Sequence, residues 1–120
     1  MLVHCQKEAT SFGGGLLLAL GIAMVRHNIK VIAIDGDGSL LMRMGNLATN
    51  TYYRPNNMLH ILLDNNSYDS TGGQDTVSAN INFVEIASAP GYGKSIFYCN
   101  SIKAVYSFFT FFIMVYNLFL

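Results

Sequence analysis

Ile34-Asp35-Gly36-Asp37-Gly38-Ser39 continues the apolar run that begins at Val31 and then breaks abruptly into small and oxygen-bearing residues. Leu62-Leu63-Asp64-Asn65-Asn66 repeats that shape after the apolar run from Met58. Each fits a buried parallel strand that presents ligands at its carboxyl end. Between Gly38 and Asn65 lie 26 residues. That is about enough for one helix and the next parallel strand, so Asp37 and Asn66 are expected at neighbouring strand ends. A carboxylate, an amide oxygen and a nearby backbone carbonyl are hard oxygen donors. Mg²⁺ accepts such donors when phosphate oxygens complete its octahedron. Gly36 and Gly38 let the backbone approach a phosphate, and a helix opening near Ser39 would aim N–H groups at it. The residues alone therefore predict a diphosphate–Mg²⁺ site.

The pairing of Gly36-Asp37-Gly38 with Asn65-Asn66 at this spacing resembles the signature of thiamine-diphosphate enzymes. Longer stretches narrow the likeness. Gly36-Asp37-Gly38-Ser39-Leu40-Leu41-Met42-Arg43-Met44-Gly45 and Asn65-Asn66-Ser67-Tyr68-Asp69-Ser70-Thr71-Gly72-Gly73-Gln74 are similar to the phosphonopyruvate decarboxylase family, with sulfopyruvate decarboxylases next. The resemblance runs from Thr10 to Gly93 and covers only the diphosphate-binding domain. It implies an α/β fold, a three-layer sandwich around a central parallel sheet, with thiamine diphosphate and Mg²⁺ as cofactors. Asp37, Asn66 and the Tyr68 backbone carbonyl would bind the metal. Gly36, Gly38 and Ser39 would lie against the cofactor. So would the turn Thr10-Ser11-Phe12-Gly13, in which Ser11, Phe12 and Gly13 occupy cofactor-binding positions and Phe12 would prop thiamine into its bent form. Thr10 stands where the family carries glycine.

The implied reaction is decarboxylation of a 2-oxo acid, 3-phosphonopyruvate to phosphonoacetaldehyde first among the candidates. It is an early step toward organic phosphonates. The family activates its cofactor with a glutamate on a separate pyrimidine-binding domain or subunit. Glu8 and Glu85 lie in the wrong context to replace it, so no catalytic residue is assigned. Three readings follow: a fragment of a one-chain decarboxylase, a small subunit that pairs with a pyrimidine-domain subunit, or an inactive cofactor-binding piece. The loop from Asp69 to Gln74 favours the first. A generic diphosphate-binding module without thiamine chemistry is a further alternative. Either enzyme reading implies a homo- or hetero-oligomer.

With 120 residues and 52% hydrophobic content, the chain makes at most one domain. Seven basic residues balance seven acidic ones, which recommends neither nucleic acid nor an anionic membrane as partner. Cys5 and Cys99 share no metal-binding or redox spacing and read as reduced thiols of a cytoplasmic protein. The apolar stretch Leu16–Val25 follows Lys7 as a signal peptide would. However, no small-residue cleavage pattern follows it, and a largely buried helix over Leu16–Arg26 is expected.

Further along, Val31–Ile34 and Met58–Leu63 are the expected strands, with a helix over Leu40–Tyr53 between them. Met42 and Met44 read as core filler and Arg43 as an exposed charge. His27 reads as a loop residue and His60 as a core residue. The second Asn-Asn, Asn56-Asn57, precedes a strand and is discounted as a metal site. Ser67–Ser78 is an expected active-site loop. A helix over Ile81–Ala89 follows, capped by Asn80 or Asn82 and closed by Pro90-Gly91. Residues 1–95 would form the domain. The apolar run 96–120, uncharged and aromatic-rich over its last 17 residues from Ala104, is left with three readings: a truncated or out-of-frame end, a membrane anchor whose uncharged part is slightly short of the ~20 residues a span needs, or an unusual core element.

Overall fold

The computed structural model describes residues 13–68 and 71–91. Thr10, Ser11, Phe12, Asp69, Ser70, both cysteines, Glu8 and the apolar run 96–120 lie outside the described residues. The elements in order are α1 (Gly15–Val25), β1 (Val31–Gly36), α2 (Asp37–Met42), α3 (Asn46–Tyr53), β2 (Met58–Leu63), β3 (Ser67–Tyr68), β4 (Gln74–Asp75), a 3₁₀ turn (Ser78–Asn80) and α4 (Phe83–Ser88).

β1 and β2 pair in parallel, from Val31 opposite Met58 to Gly36 opposite Leu63. The chain is thus α/β, and both sequence-predicted strands are present. Their adjacency brings the Asp37 and Asn66 ends of two neighbouring strands together. β3 and β4 form a short antiparallel pair, with Ser67 opposite Asp75 and Tyr68 opposite Gln74. The expected loop from Ser67 to Ser78 therefore contains a small hairpin of its own.

Val31 and Ala33 point toward α1, where Leu16, Ala19 and Ala23 meet them, and Leu40 and Leu47 join the same cluster. Period-two burial on the strand meets helical spacing on α1, which is the usual basis of helix-on-sheet packing. Fully burying a leucine or valine contributes roughly 1.5–3 kcal/mol. Met44, Met58, Leu62, Phe83, Ile86 and Ala87 pack around this cluster.

Several expectations change. α1 is not largely buried: Leu18 and Val25 are exposed, and only Leu16, Ala19, Leu20 and Ala23 are buried. An all-apolar helix carries no stripe to say which side faces the core. The predicted helix Leu40–Tyr53 is two helices separated by the turn at Arg43–Gly45. The first begins earlier, at Asp37. Glycine costs about 1 kcal/mol inside a helix, and Gly45 instead stands just before the second helix, at its N-cap. Met42 is half-exposed and not core, whereas Met44 does pack against the core.

Asn57, discounted as a metal site, has a structural task. Its side-chain amide donates to the carbonyls of Ala23 at 3.1 Å, Arg26 at 3.1 Å and Ile29 at 2.9 Å. Its backbone carbonyl accepts from Val31 N–H at 2.8 Å. The last carbonyls of a helix have no partner within it. Asn57 therefore closes the end of α1 and places β1 beside β2.

Candidate functional site

The Gly36–Ser39 turn lies where β1 passes directly into α2. Gly36 is extended, with φ −93° and ψ 156°, and nothing would meet a Cβ built on it within 4 Å. Gly38 is different: a Cβ there would fall 2.5 Å from Cδ1 and Cε1 of Tyr68. The two glycines thus divide the work expected of them. Gly36 leaves open space in which a ligand could approach the backbone, whereas Gly38 admits the Tyr68 ring.

Asp37 is buried, 1% exposed, although it begins a helix. A buried carboxylate needs hydrogen bonds or a cation. The Thr76 hydroxyl lies 2.5 Å from Asp37 Oδ2 and donates to it. That length belongs to a charge-assisted O–H···O⁻ bond. Thr76 Oγ1 lies 2.9 Å from Ser78 Oγ and also accepts from Ser78 N–H at 3.3 Å. Ser78 Oγ lies in turn 2.8 Å from Asn66 Oδ1. A line of side-chain oxygens therefore runs from Asp37 through Thr76 and Ser78 to Asn66.

Asn66 is held by its backbone as well. Its φ of 57° is left-handed, a region asparagine enters more readily than most residues. Its N–H donates to Asp64 Oδ1 at 3.2 Å, and its carbonyl accepts from Thr76 N–H at 3.0 Å. The Tyr68 carbonyl accepts from Gly73 N–H at 3.1 Å and from the Thr71 hydroxyl at 3.3 Å. For this carbonyl to bind a metal, as the resemblance implies, one of those donors would have to give way.

Gly13, at φ +73°, is pressed against α2: a Cβ there would lie 2.7 Å from the Ser39 carbonyl oxygen and 2.9 Å from the Arg43 side chain. Its own carbonyl accepts from Asn46 Nδ2 at 2.7 Å. The structure thus joins Gly13 to Ser39, two residues predicted to share the cofactor. Ser11 and Phe12, predicted with them, lie outside the described residues.

His60 and Asp35 sit deeper in the sheet, with Nε2 and Oδ2 4.0 Å apart and both side chains buried. Burial pushes the His60 imidazole below its ordinary value, and the Asp35 carboxylate pulls it partly back. His60 is the core residue the sequence predicted. No cluster of three or more His, Cys, Asp or Glu occurs among the described residues. The donors at the strand ends are one carboxylate and neutral oxygens, a hard set suited to Mg²⁺ with phosphate, so these residues fit the group the sequence implies.

A family model described as "Thiamine pyrophosphate enzyme, C-terminal TPP binding domain" matches residues 3–106. The chain belongs to this family.

Among known relatives, phosphonopyruvate decarboxylase of Streptomyces hygroscopicus is 41% identical over 93 residues, 77% of this chain and 22% of that protein. The Streptomyces viridochromogenes protein of the same name is also 41% identical over 93 residues and is covered to 23%. Sulfopyruvate decarboxylase subunit beta of Methanocaldococcus jannaschii is 44% identical over 82 residues, 68% of this chain and 43% of that subunit. The chain thus spans less than half the length of these relatives. No helix among the described residues is long and apolar enough to cross a membrane.

The family's C-terminal domain is the one that binds thiamine pyrophosphate, and the Asp37–Asn66 region is where these residues would hold it. Sequence reasoning singled out both ends of the oxygen line but neither Thr76 nor Ser78. Both sit in the polar stretch Ser67–Ser78, expected as an active-site loop, whose hydroxyl residues nothing local tells apart. No local signal marks them: Thr76 and Ser78 are buried while Val77 between them is 61% exposed, the reverse of what the residue types alone suggest.

Proposed function

We propose that this chain supplies the diphosphate- and Mg²⁺-binding half of a cytoplasmic, thiamine-diphosphate-dependent decarboxylase acting on a 2-oxo acid. The observation that carries this reading is the convergence of Asp37 and Asn66 at adjoining parallel strand ends, linked through Thr76 and Ser78. Asp37 and the Asn66 amide oxygen would hold the Mg²⁺, with the Tyr68 carbonyl as a third donor. The open face of Gly36 would admit the diphosphate, while Gly38, Ser39 and the turn through Ser11, Phe12 and Gly13 would lie along the cofactor.

When bound, thiamine diphosphate supplies the carbon nucleophile and electron sink for decarboxylation. The residues here bind and orient. Asp37 contributes the negative charge that balances the cation, and the buried hydroxyls keep its carboxylate from turning. The activating glutamate would come from a pyrimidine-binding domain or a second subunit, so the working unit would be an oligomer.

The first candidate substrate is 3-phosphonopyruvate, which would lose CO₂ and gain a proton to become phosphonoacetaldehyde. The names of the Streptomyces relatives support it. A sulfopyruvate decarboxylase-type subunit is the second reading, favoured by the 44% identity to a protein named as a beta subunit. A cofactor-binding piece without activity is the third.

Calorimetric titration with thiamine diphosphate and Mg²⁺ tests the half-site. Binding that requires Mg²⁺, is lost in Asp37→Ala and is not reproduced by ADP is expected. No binding by a folded sample, or equal binding of ADP, would overturn the reading. Adding candidate pyrimidine-domain subunits and assaying CO₂ release from phosphonopyruvate and sulfopyruvate separates the substrates.

A further inference from the structure

Thr76 and Ser78 lie far from Asp37 in sequence, yet both are buried among polar atoms, at 8% and 2% exposure. Nothing apolar explains this placement, because Val77 between them faces out. Counting protons shows what the pair does. Three close oxygen–oxygen contacts run along the line, at 2.5, 2.9 and 2.8 Å, but Thr76 and Ser78 carry one hydroxyl hydrogen each.

The carboxylate is the strongest acceptor, so the Thr76 hydrogen goes to Asp37. Thr76 Oγ1 is then an acceptor, already used by Ser78 N–H. The Ser78 hydrogen is left with two acceptors, Asn66 Oδ1 and Thr76 Oγ1. With Asn66 free of metal, donation to its amide oxygen fixes which face of the amide points inward. Should that oxygen bind a cation, the Ser78 hydrogen can turn to Thr76 without leaving a buried hydroxyl unpaired. An unpaired buried polar group would cost about 1–3 kcal/mol.

We infer that Thr76 and Ser78 are positioning residues for the metal ligands, a two-hydroxyl strap that holds the Asp37 carboxylate and the Asn66 amide oxygen in register from the far side of the loop. The inference deepens the half-site reading and rests on it. Groups that orient metal ligands from behind typically change affinity by 10- to 100-fold when removed. The strap also couples the loop to the site: the Asn66 carbonyl accepts from Thr76 N–H, so the two residues are joined directly through their backbones and, by way of Ser78 Oγ, through their side chains.

The test compares Thr76→Val, Thr76→Ser and Ser78→Ala with the parent full-length chain. Mg²⁺ affinity is read by calorimetry in the presence of thiamine diphosphate, and thermal stability without metal is read separately. Thr76→Val should weaken Mg²⁺ roughly 10- to 100-fold. Thr76→Ser, which keeps the hydroxyl, should bind nearly as the parent does. Ser78→Ala should fall between them. Parent-like Mg²⁺ affinity in Thr76→Val would overturn the inference and leave the half-site reading standing, as would weakening matched by Thr76→Ser.

If the parent itself binds no cation, the half-site reading falls, and NMR of the metal-free chain decides the strap. A shift of the Asn66 side-chain amide in Ser78→Ala and of the Asp37 carboxyl carbon in Thr76→Val supports it. Unmoved signals overturn it.

Discussion

Gly38 lies against the ring of Tyr68, so close that a single methyl group on Gly38 would sit 2.5 Å from two ring carbons. The contact joins the turn after β1 to the first strand of the small hairpin. Gly38→Ala must therefore push the ring aside, and overpacking of this kind costs about 1–3 kcal/mol. Denaturant unfolding should show that loss. In the double variant with Tyr68→Ala most of the cost should disappear, because the clash has gone. A Gly38→Ala chain as stable as the parent would mean that ring and turn do not meet.

Asn57 should be among the most sensitive polar positions. Asn57→Ala leaves the carbonyls of Ala23, Arg26 and Ile29 without its amide. Unsatisfied buried groups cost about 1–3 kcal/mol each, less where water can enter. Asn57→Asp, which is nearly the same size, removes the donors and adds a charge. It should be at least as damaging as alanine in thermal unfolding, and recovery by Asp would contradict the assigned geometry.

His60 predicts an acid-side loss of stability. Its folded value lies below 6.5 because burial disfavours the charged ring, with Asp35 partly offsetting this. Between the two values the unfolded chain binds a proton that the folded chain does not. Stability from this group is therefore full above about pH 6.5 and declines as pH falls toward the folded value. Unfolding curves taken across this window should flatten in His60→Gln, which cannot take up the proton. An unchanged slope would remove His60 as its source.

Asn46→Ala should loosen the glycine turn that precedes α1. The Asn46 amide donates to the Gly13 carbonyl at 2.7 Å, across 33 residues. Losing one such bond costs roughly 0.5–1.5 kcal/mol. If Gly13 lies beside the cofactor as proposed, thiamine diphosphate affinity should fall by more than global stability predicts. Faster amide exchange at Gly14 and Gly15, with the sheet amides unchanged, would place the effect in the turn.

The sequence by itself determined the strands, their order and the two clusters of oxygen donors. Val31–Ile34 and Met58–Leu63 are apolar runs that end in polar, small residues, and the 26 residues between Gly38 and Asn65 leave room only for a crossover. Those are local signals, and the parallel pair from Val31–Met58 to Gly36–Leu63 follows from them. An asparagine cap was also legible, as Asn80 or Asn82, and the structure uses Asn82, whose side chain accepts from Glu85 N–H three residues on.

Only the tertiary structure decided which side of α1 is buried, because Leu16 and Leu18 are chemically identical and an all-apolar helix has no distinguishing face. It alone decided that Asn57 clamps a helix end and that Thr76 and Ser78 turn inward. It also split one predicted helix at Arg43–Gly45, where the Arg43 stem meets Gly13 from before α1. The Asn57 clamp, the Asp37–Thr76 bond and the Arg43–Gly13 contact depend on partners some thirty or more residues away, whereas α1 packs on Val31 and Ala33 nearer in the chain and the hairpin carries Thr76 and Ser78 back to Asn66. A hydrogen bond between distant residues leaves no periodicity in the chain, whereas burial of a strand does.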